Sequence, residues 1–328
     1  VIVPCQQVTN PSDILDKIDK LPAFGGTAID AGIKLGITQL IEGKQDRVSH
    51  AFILTDGENE HGDNDRCIKL AGFATESNIT LNTLGFGEHW NQNILEKIAD
   101  TAAGTLAYIA EAAQAVNEFG RIFNRMQSVG LTNAYLQLQL QPKVRLAELK
   151  PIAQVAPDTI ELAFEDKDHT YTVRLGDLMK DISRIILVNI YIAQLAEGEQ
   201  AIATLKIRYD DPARGLTNLL TQPVNIKVNV SRNPQPAVDQ HVQQHTLALA
   251  KYRQTQLAEQ KLQQGDRSGA ATLLQTAAKT ALQMGDTNAA TVLQTNATIL
   301  QGGDDLSEAD KKKTRIVSKT ILQWTFLS

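Results

Sequence analysis

The sequence predicts an α/β region built on a parallel sheet, followed by an all-β sandwich and then an α-helical hairpin or small bundle. Three observations carry that reading. Residues 1–128 alternate short β-branched apolar runs with longer helical patterns, the signature of parallel strands joined by crossover helices. Residues 129–232 change to strict apolar/polar alternation in short runs separated by turns, which marks an antiparallel sandwich. Residues 237–328 are almost continuously helical in pattern.

In the first region strands are expected at residues 1–4, 50–55, 79–86 and 105–109. The continuous apolar run Ala51-Phe52-Ile53-Leu54 suits a strand covered on both faces. Between the strands, residues 27–41 place Ile29, Ile33, Ile37, Leu40 and Ile41 on one helical stripe, and residues 91–102 do the same with Ile94, Leu95 and Ile98. Helices over residues 66–77 and 111–126 complete the region, and the acidic loop before the former supplies caps for it.

In the second region the runs are 135–140, 159–164, 171–175, 184–192, 201–209 and 224–230. The connector Ser231-Arg232-Asn233-Pro234-Gln235-Pro236 stops any strand, because proline lacks the amide proton a ladder needs. Beyond it, Gly265-Asp266 and Gly285-Asp286 each end one helix through glycine's left-handed conformation and cap the next with aspartate.

At 328 residues the chain is long enough for two or three domains. A net charge of -5 argues against a nucleic-acid footprint, and the dense basic run Lys311, Lys312, Lys313 and Arg315 reads as a solvated helix face. Cys5 and Cys67 lie far apart without ligand-like spacing, so neither a disulfide framework nor a zinc site is expected, and a reducing, cytoplasmic setting is the preference. No run is long and apolar enough for a membrane span. The sequence opens at Val1 without the charged start of a signal peptide, which suggests that something upstream has been removed. The six histidines sit in no nucleophile-base frame, and the Gly25-Gly26-Thr27 loop lacks a P-loop lysine, so catalysis is not expected. His241 and His245 share a helical face, but with no third ligand in view they read as solvated.

The chemistry sits in Phe24-Gly25-Gly26-Thr27-Ala28-Ile29 and in the strand end Thr55-Asp56-Gly57-Glu58-Asn59. Two glycines let the backbone turn tightly and present Thr27 at the start of a helix; Asp56 falls at the carboxyl end of the next strand, where ligands of such folds gather. A hydroxyl and a carboxylate together there make an oxygen site for a hard cation. On these motifs, and on the segment TLGFGEHWNQNILEKIAD, residues 1–128 resemble the von Willebrand factor A family. The resemblance implies a Rossmann-like domain with a metal-ion-dependent adhesion site formed by an Asp-x-Ser-x-Ser loop, a threonine and an aspartate. Thr27 matches the second element and Asp56 the third.

The first element is absent from the sequence; Asp266-Arg267-Ser268 approximates it only in the helical tail and reads there as a cap. The family's first strand would precede Val1, so the chain would start at the family's third strand and leave a gap beside residues 50–55. The resemblance implies a protein-binding module, not an enzyme, that holds a divalent cation, magnesium first with calcium or manganese as alternatives. A partner's acidic residue would complete the coordination. Gly25, Gly26, Gly57, Glu58, His89 and Trp90 would surround the contact, Trp90 as an exposed aromatic anchor. The alternative is a metal-independent scaffold that binds through its sandwich or helical tail.

Overall fold

The computed structural model describes residues 1–22, 25–43, 47–234 and 238–320. Phe24, Gln235, Pro236 and residues 321–328 lie outside them. By their contacts the described residues divide into two units. The first comprises Val1–Ala134, Leu175–Lys180 and Tyr209–Leu219; the second comprises Tyr135–Arg174, Asp181–Arg208 and the chain from Leu220 onward.

The first unit starts with a helix that periodicity did not reveal, α1 (Pro11–Asp19), capped by the Asn10 side chain on the Ser12 amide at 3.2 Å and opened by a proline in its first turn. None of its residues is buried. The strand expected at residues 1–4 does not form, and Val1 and Ile2 are exposed. A strand exists by pairing, and no neighbour pairs with this segment among the described residues.

From there the alternation holds: α2 (Ile29–Gly43), β1 (Ser49–Thr55), α3 (Asn64–Glu76), β2 (Ile79–Phe86), α4 (Gln92–Thr101), β3 (Leu106–Ile109) and α5 (Ala112–Gln127). The strands form a parallel sheet in the order β1-β2-β3, with Ser49 opposite Ile79 and Phe86 opposite Ile109. One face packs Ile33, Ile37, Ala71, Leu81, Leu95 and Ile98; the other packs Leu84, Ile109 and Ile122 with Phe52 and Phe119. Asp63 caps α3 as expected, accepting from the Asp65 and Arg66 amides at 2.8 and 3.1 Å.

The strand-rich part contains β4 (Val129–Leu140), β5 (Val144–Leu146), β6 (Ile152–Ala156), β7 (Ile160–Glu161), β8 (Phe164–Lys167), β9 (Thr170–Met179), β10 (Ile185–Val188), β11 (Ile190–Ile192), β12 (Gly198–Asp211), β13 (Leu216–Leu220) and β14 (Val224–Val230). They make three sheets: β13-β12-β4-β9-β8 with β14 paired to β12, β10-β6-β7, and β11-β5. In β4 the alternation seen in the sequence is realised, with Ala134, Leu136, Leu138 and Leu140 buried. The single run expected over 184–192 divides at Asn189, whose amide donates to the Pro151 carbonyl at 2.8 Å while its carbonyl accepts from Ala147 at 2.9 Å.

Within the second unit lie α6 (Gln240–Gln263), α7 (Arg267–Gln283), α8 (Thr287–Gly302) and α9 (Glu308–Lys319). Both Gly-Asp pairs act as the sequence implied. Gly265 and Gly285 adopt φ of 77° and 76°, and Asp266 and Asp286 accept from the Gly269 and Ala289 amides at 2.8 and 3.0 Å. Alanines 270, 271, 277, 278, 289 and 290 pack the helices closely. The basic run on α9 is a solvated face only in part: Lys311 and Lys313 are exposed, whereas the other two basic residues turn inward. Lys312 is buried, and Arg315 pairs with Glu259 of α6 at 2.6 Å, because this helix is held against the others through that side. Among the described residues no helix is long and apolar enough to cross a membrane.

Candidate functional site

Thr27 lies two residues ahead of α2, in the turn that Gly25 enters at φ of 113°. Asp56 lies one residue past β1. Thr55 fixes the turn that carries Asp56: its hydroxyl donates to the Gly57 carbonyl at 2.9 Å and accepts from the Gly57 amide at 3.2 Å. That small ring holds the exposed Asp56 carboxylate at the tip. A Cβ added to Gly57 would stand 3.1 Å from the Thr27 hydroxyl oxygen, so glycine is what lets the two loops approach. The structure therefore brings Thr27, Asp56 and Gly57 to one end of the sheet.

The loop that follows is stitched to the first by two bonds. Asn59 Oδ1 accepts from the Ile29 amide at 2.7 Å and so caps α2 from thirty positions away; the His61 amide donates to the Thr27 carbonyl at 3.0 Å. The His61 ring lies over Gly26, where a Cβ would sit 2.1 Å from it. Asp30, one of the buried carboxylates, faces Arg66 at 3.3 Å. Thr55 and Asn59 stood inside the motif read from sequence but were given no role there, and Asp30 was not among the candidates. For Thr55 and Asn59 the one signal was the polarity of the run between Thr55 and Asp65; Asp30 lies outside it, in the first turn of α2.

Of the expected contact residues, Glu58 and His89 are exposed at this end, and Gly25 and Gly26 form the turn. Trp90 is a correction. It is 3% exposed, donates Nε1–H to the Gly87 carbonyl at 2.8 Å and packs 5.9 Å from the Tyr108 ring. Its indole occupies the space that a side chain on Gly85 would take. A buried indole that stacks in the core cannot anchor a partner.

A cavity of about 480 Å³ runs along β1 and ends at Thr27 and Asp56. One wall is the consecutive run Ala51 to Asp56; the other is Ala28, just ahead of α2, with Gly32 and Gly36 on the α2 face. Side chains added to Gly32 or Gly36 would meet nothing within 4 Å. β1 stands at one end of the sheet order, its outer edge unpaired among the described residues, and Leu54 is 54% exposed.

The von Willebrand factor type A domain family matches residues 1–121, and the Sll0103-like C-terminal alpha-helical domain matches residues 240–324. The protein sll0103 of Synechocystis sp. is 57% identical over 98% of this chain and 77% of its own length. This chain belongs to the sll0103-like von Willebrand A proteins. Among solved structures, a von Willebrand factor type A protein from Catenulispora acidiphila superposes with a TM-score of 0.79 at 19% identity, over 94% of this chain and 73% of that one. The human COPII-coat protein Sec24c is similar with a TM-score of 0.54 at 14% identity, over 94% of this chain and 45% of its own. At those identities the two structures speak for the fold. The von Willebrand A assignment accounts for the parallel sheet and for the Thr27 and Asp56 loops meeting at its carboxyl end.

The donors of this von Willebrand A domain have the chemistry of a hard-cation site, since hydroxyl and carboxylate oxygens suit magnesium, manganese or calcium. Their number does not close a site alone. Among the described residues no three His, Cys, Asp or Glu side chains converge on a point.

Proposed function

We propose that the chain is a protein-binding module whose contact face is the Thr27 and Asp56 end of the sheet β1-β2-β3, with affinity for its partner coupled to a divalent cation. Domains of the von Willebrand A family mediate protein interactions. What supports the finer reading is the approach of the Thr27 hydroxyl to Gly57, which sets it beside the Asp56 turn. In this reading Thr27 and Asp56 contribute oxygen donors, magnesium is the preferred ion, and a partner carboxylate fills an open coordination position. Glu58 and His89 flank the contact, and the work of the site is binding, not catalysis.

We read the third donor group as an Asp-x-Ser-x-Ser loop at the end of a strand seated in the trough beside β1. The unpaired β1 edge offers backbone groups to such a strand, and Ala28, Gly32 and Gly36 leave room for it.

Calorimetry tests the reading, with magnesium chloride and calcium chloride titrated into this chain and into one that also carries such a strand with its Asp-x-Ser-x-Ser loop. The second should bind the ion and lose it in Thr27→Ala and Asp56→Ala variants. Absence of binding in the longer chain, or partner capture unchanged in chelator, would reassign the contacts to the strand-rich or helical parts.

A further inference from the structure

At the opposite end of the first unit's sheet, four polar side chains from three strands form a chain of contacts that the binding face does not use. His50 on β1 is largely buried, its side chain 7% exposed. Its Nε2 lies 3.1 Å from Asp177 Oδ2 in the segment Leu175–Lys180, off the line of a hydrogen bond. The same oxygen accepts from the Thr80 hydroxyl at 2.9 Å. On the other side of the ring, Nδ1 lies 3.3 Å from Asn82 Nδ2.

The far end of Asn82 decides which way these groups point. Asn82 is 4% exposed, and its Oδ1 accepts from the Thr105 amide at 3.1 Å, at the entrance to β3. A backbone N–H can only donate, so the atom facing it must be the carbonyl oxygen, and the amide nitrogen must then face His50. Asn82 Nδ2 donates, so Nδ1 must accept and the ring proton must sit on Nε2. The wiring thus selects the neutral Nε2–H tautomer.

We propose that Asn82 is a proton-operated flip switch at the amino-terminal end of the sheet. When His50 takes a proton at Nδ1, two donors face each other. The charged ring binds the Asn82 oxygen more strongly than a neutral amide does, because charge-assisted hydrogen bonds are roughly twice as strong. Asn82 turns its oxygen to His50, and Thr105 loses its acceptor. Asp177 is the acidic group facing the ring, from the segment Leu175–Lys180; β2 contributes Thr80 and Asn82, neither of which titrates. Arg47, before β1, is exposed, and the Lys180 side chain lies along Gly130. The opening is local, at the junction of β2 and β3.

Two measurements on the full chain test it. Ring nitrogen shifts from NMR at about pH 8 should show His50 as the Nε2–H tautomer; an Nδ1–H signal would overturn the assignment. Amide exchange of Thr105, corrected for its intrinsic rate, should show protection about tenfold lower at about pH 5 than at about pH 8, the worth of one hydrogen bond. Asn82→Asp supplies an oxygen to both neighbours, so it should keep Thr105 protected throughout, and His50→Gln should remove the pH step. Protection that does not change with pH in the wild type, or that falls equally in Asn82→Asp, would sink the switch.

Discussion

Lys251 Nζ lies 3.0 Å from Asp286 Oδ2 with the lysine side chain fully buried, and its remaining bonds go to the Val317 and Thr320 carbonyls at 2.8 and 3.0 Å. All of the ammonium donors are therefore satisfied. Burial pulls the Lys251 pKa below its ordinary value, and the hydrogen bond and charge of Asp286 act against that pull. Because Asp286 also caps α8, Asp286→Ala removes a cap and strands a buried cation, and should cost about 3–5 kcal/mol. Lys251→Met leaves the cap in place and should cost less. The two substitutions made together should recover part of the loss, as read from guanidinium unfolding midpoints; additive losses would show that the pair is not coupled.

A second prediction concerns the Asn59 cap. Its Oδ1 satisfies the first amide of α2, so Asn59→Ala should destabilise the first unit by about 1 kcal/mol, the usual worth of a cap. It should also free the loop at residues 59–63, seen as faster exchange at the Ile29 amide. An unchanged Ile29 exchange rate would refute the capping role.

The contrast between what the sequence shows and what it hides follows from distance along the chain. The placement of Thr27 and Asp56 at one end of the sheet is legible because glycines and a strand end announce it locally, and the alternation of strands with helices follows from hydrophobic period alone. The Asn59 cap joins residues thirty positions apart, and no local pattern encodes it. Lys312 and Trp90 misled for a related reason: charge and aromaticity favour the surface on average, whereas their burial was decided by which helix or strand arrived beside them. For Trp90 there was a signal, the glycine at position 85 inside a strand, which marks close approach by another group.

Two glycines of the sheet should respond differently from surface positions. A Cβ on Gly104 would stand 1.9 Å from the Leu81 carbonyl oxygen, part of the backbone, which cannot swing aside. Gly104→Ala should cost roughly 3 kcal/mol or more, at the upper end of overpacking penalties. In Gly85→Ala the clash falls on the Trp90 indole, at 2.0 Å. Expulsion of that ring would red-shift its fluorescence. A Gly104→Ala protein that unfolds at the wild-type midpoint would contradict the close approach of the loop to β2.

The thiol at position 67 gives the fold a pH dependence of definite sign. Burial, reinforced by the Asp30 and Asp63 carboxylates, pushes the Cys67 pKa from its ordinary 9.0 to about 11. Between those values the unfolded chain has lost the thiol proton while the folded chain keeps it. The folded state therefore binds more protons, and stability falls as pH rises. The contribution is fully present below about pH 9, is lost progressively toward pH 11, and is of order 2–3 kcal/mol at most. Cys67→Ala should flatten that part of the stability profile, and the difference between the two curves isolates this thiol from lysines and tyrosines that titrate in the same range. In the folded protein at about pH 8, the shift leaves Cys67 with about a hundredfold less thiolate than an unshifted thiol, and burial adds to its protection. Iodoacetamide should therefore label the exposed Cys5 first, with Cys67 following only as the chain unfolds. Equal labelling of both at neutral pH would show that Cys67 is neither buried nor shifted.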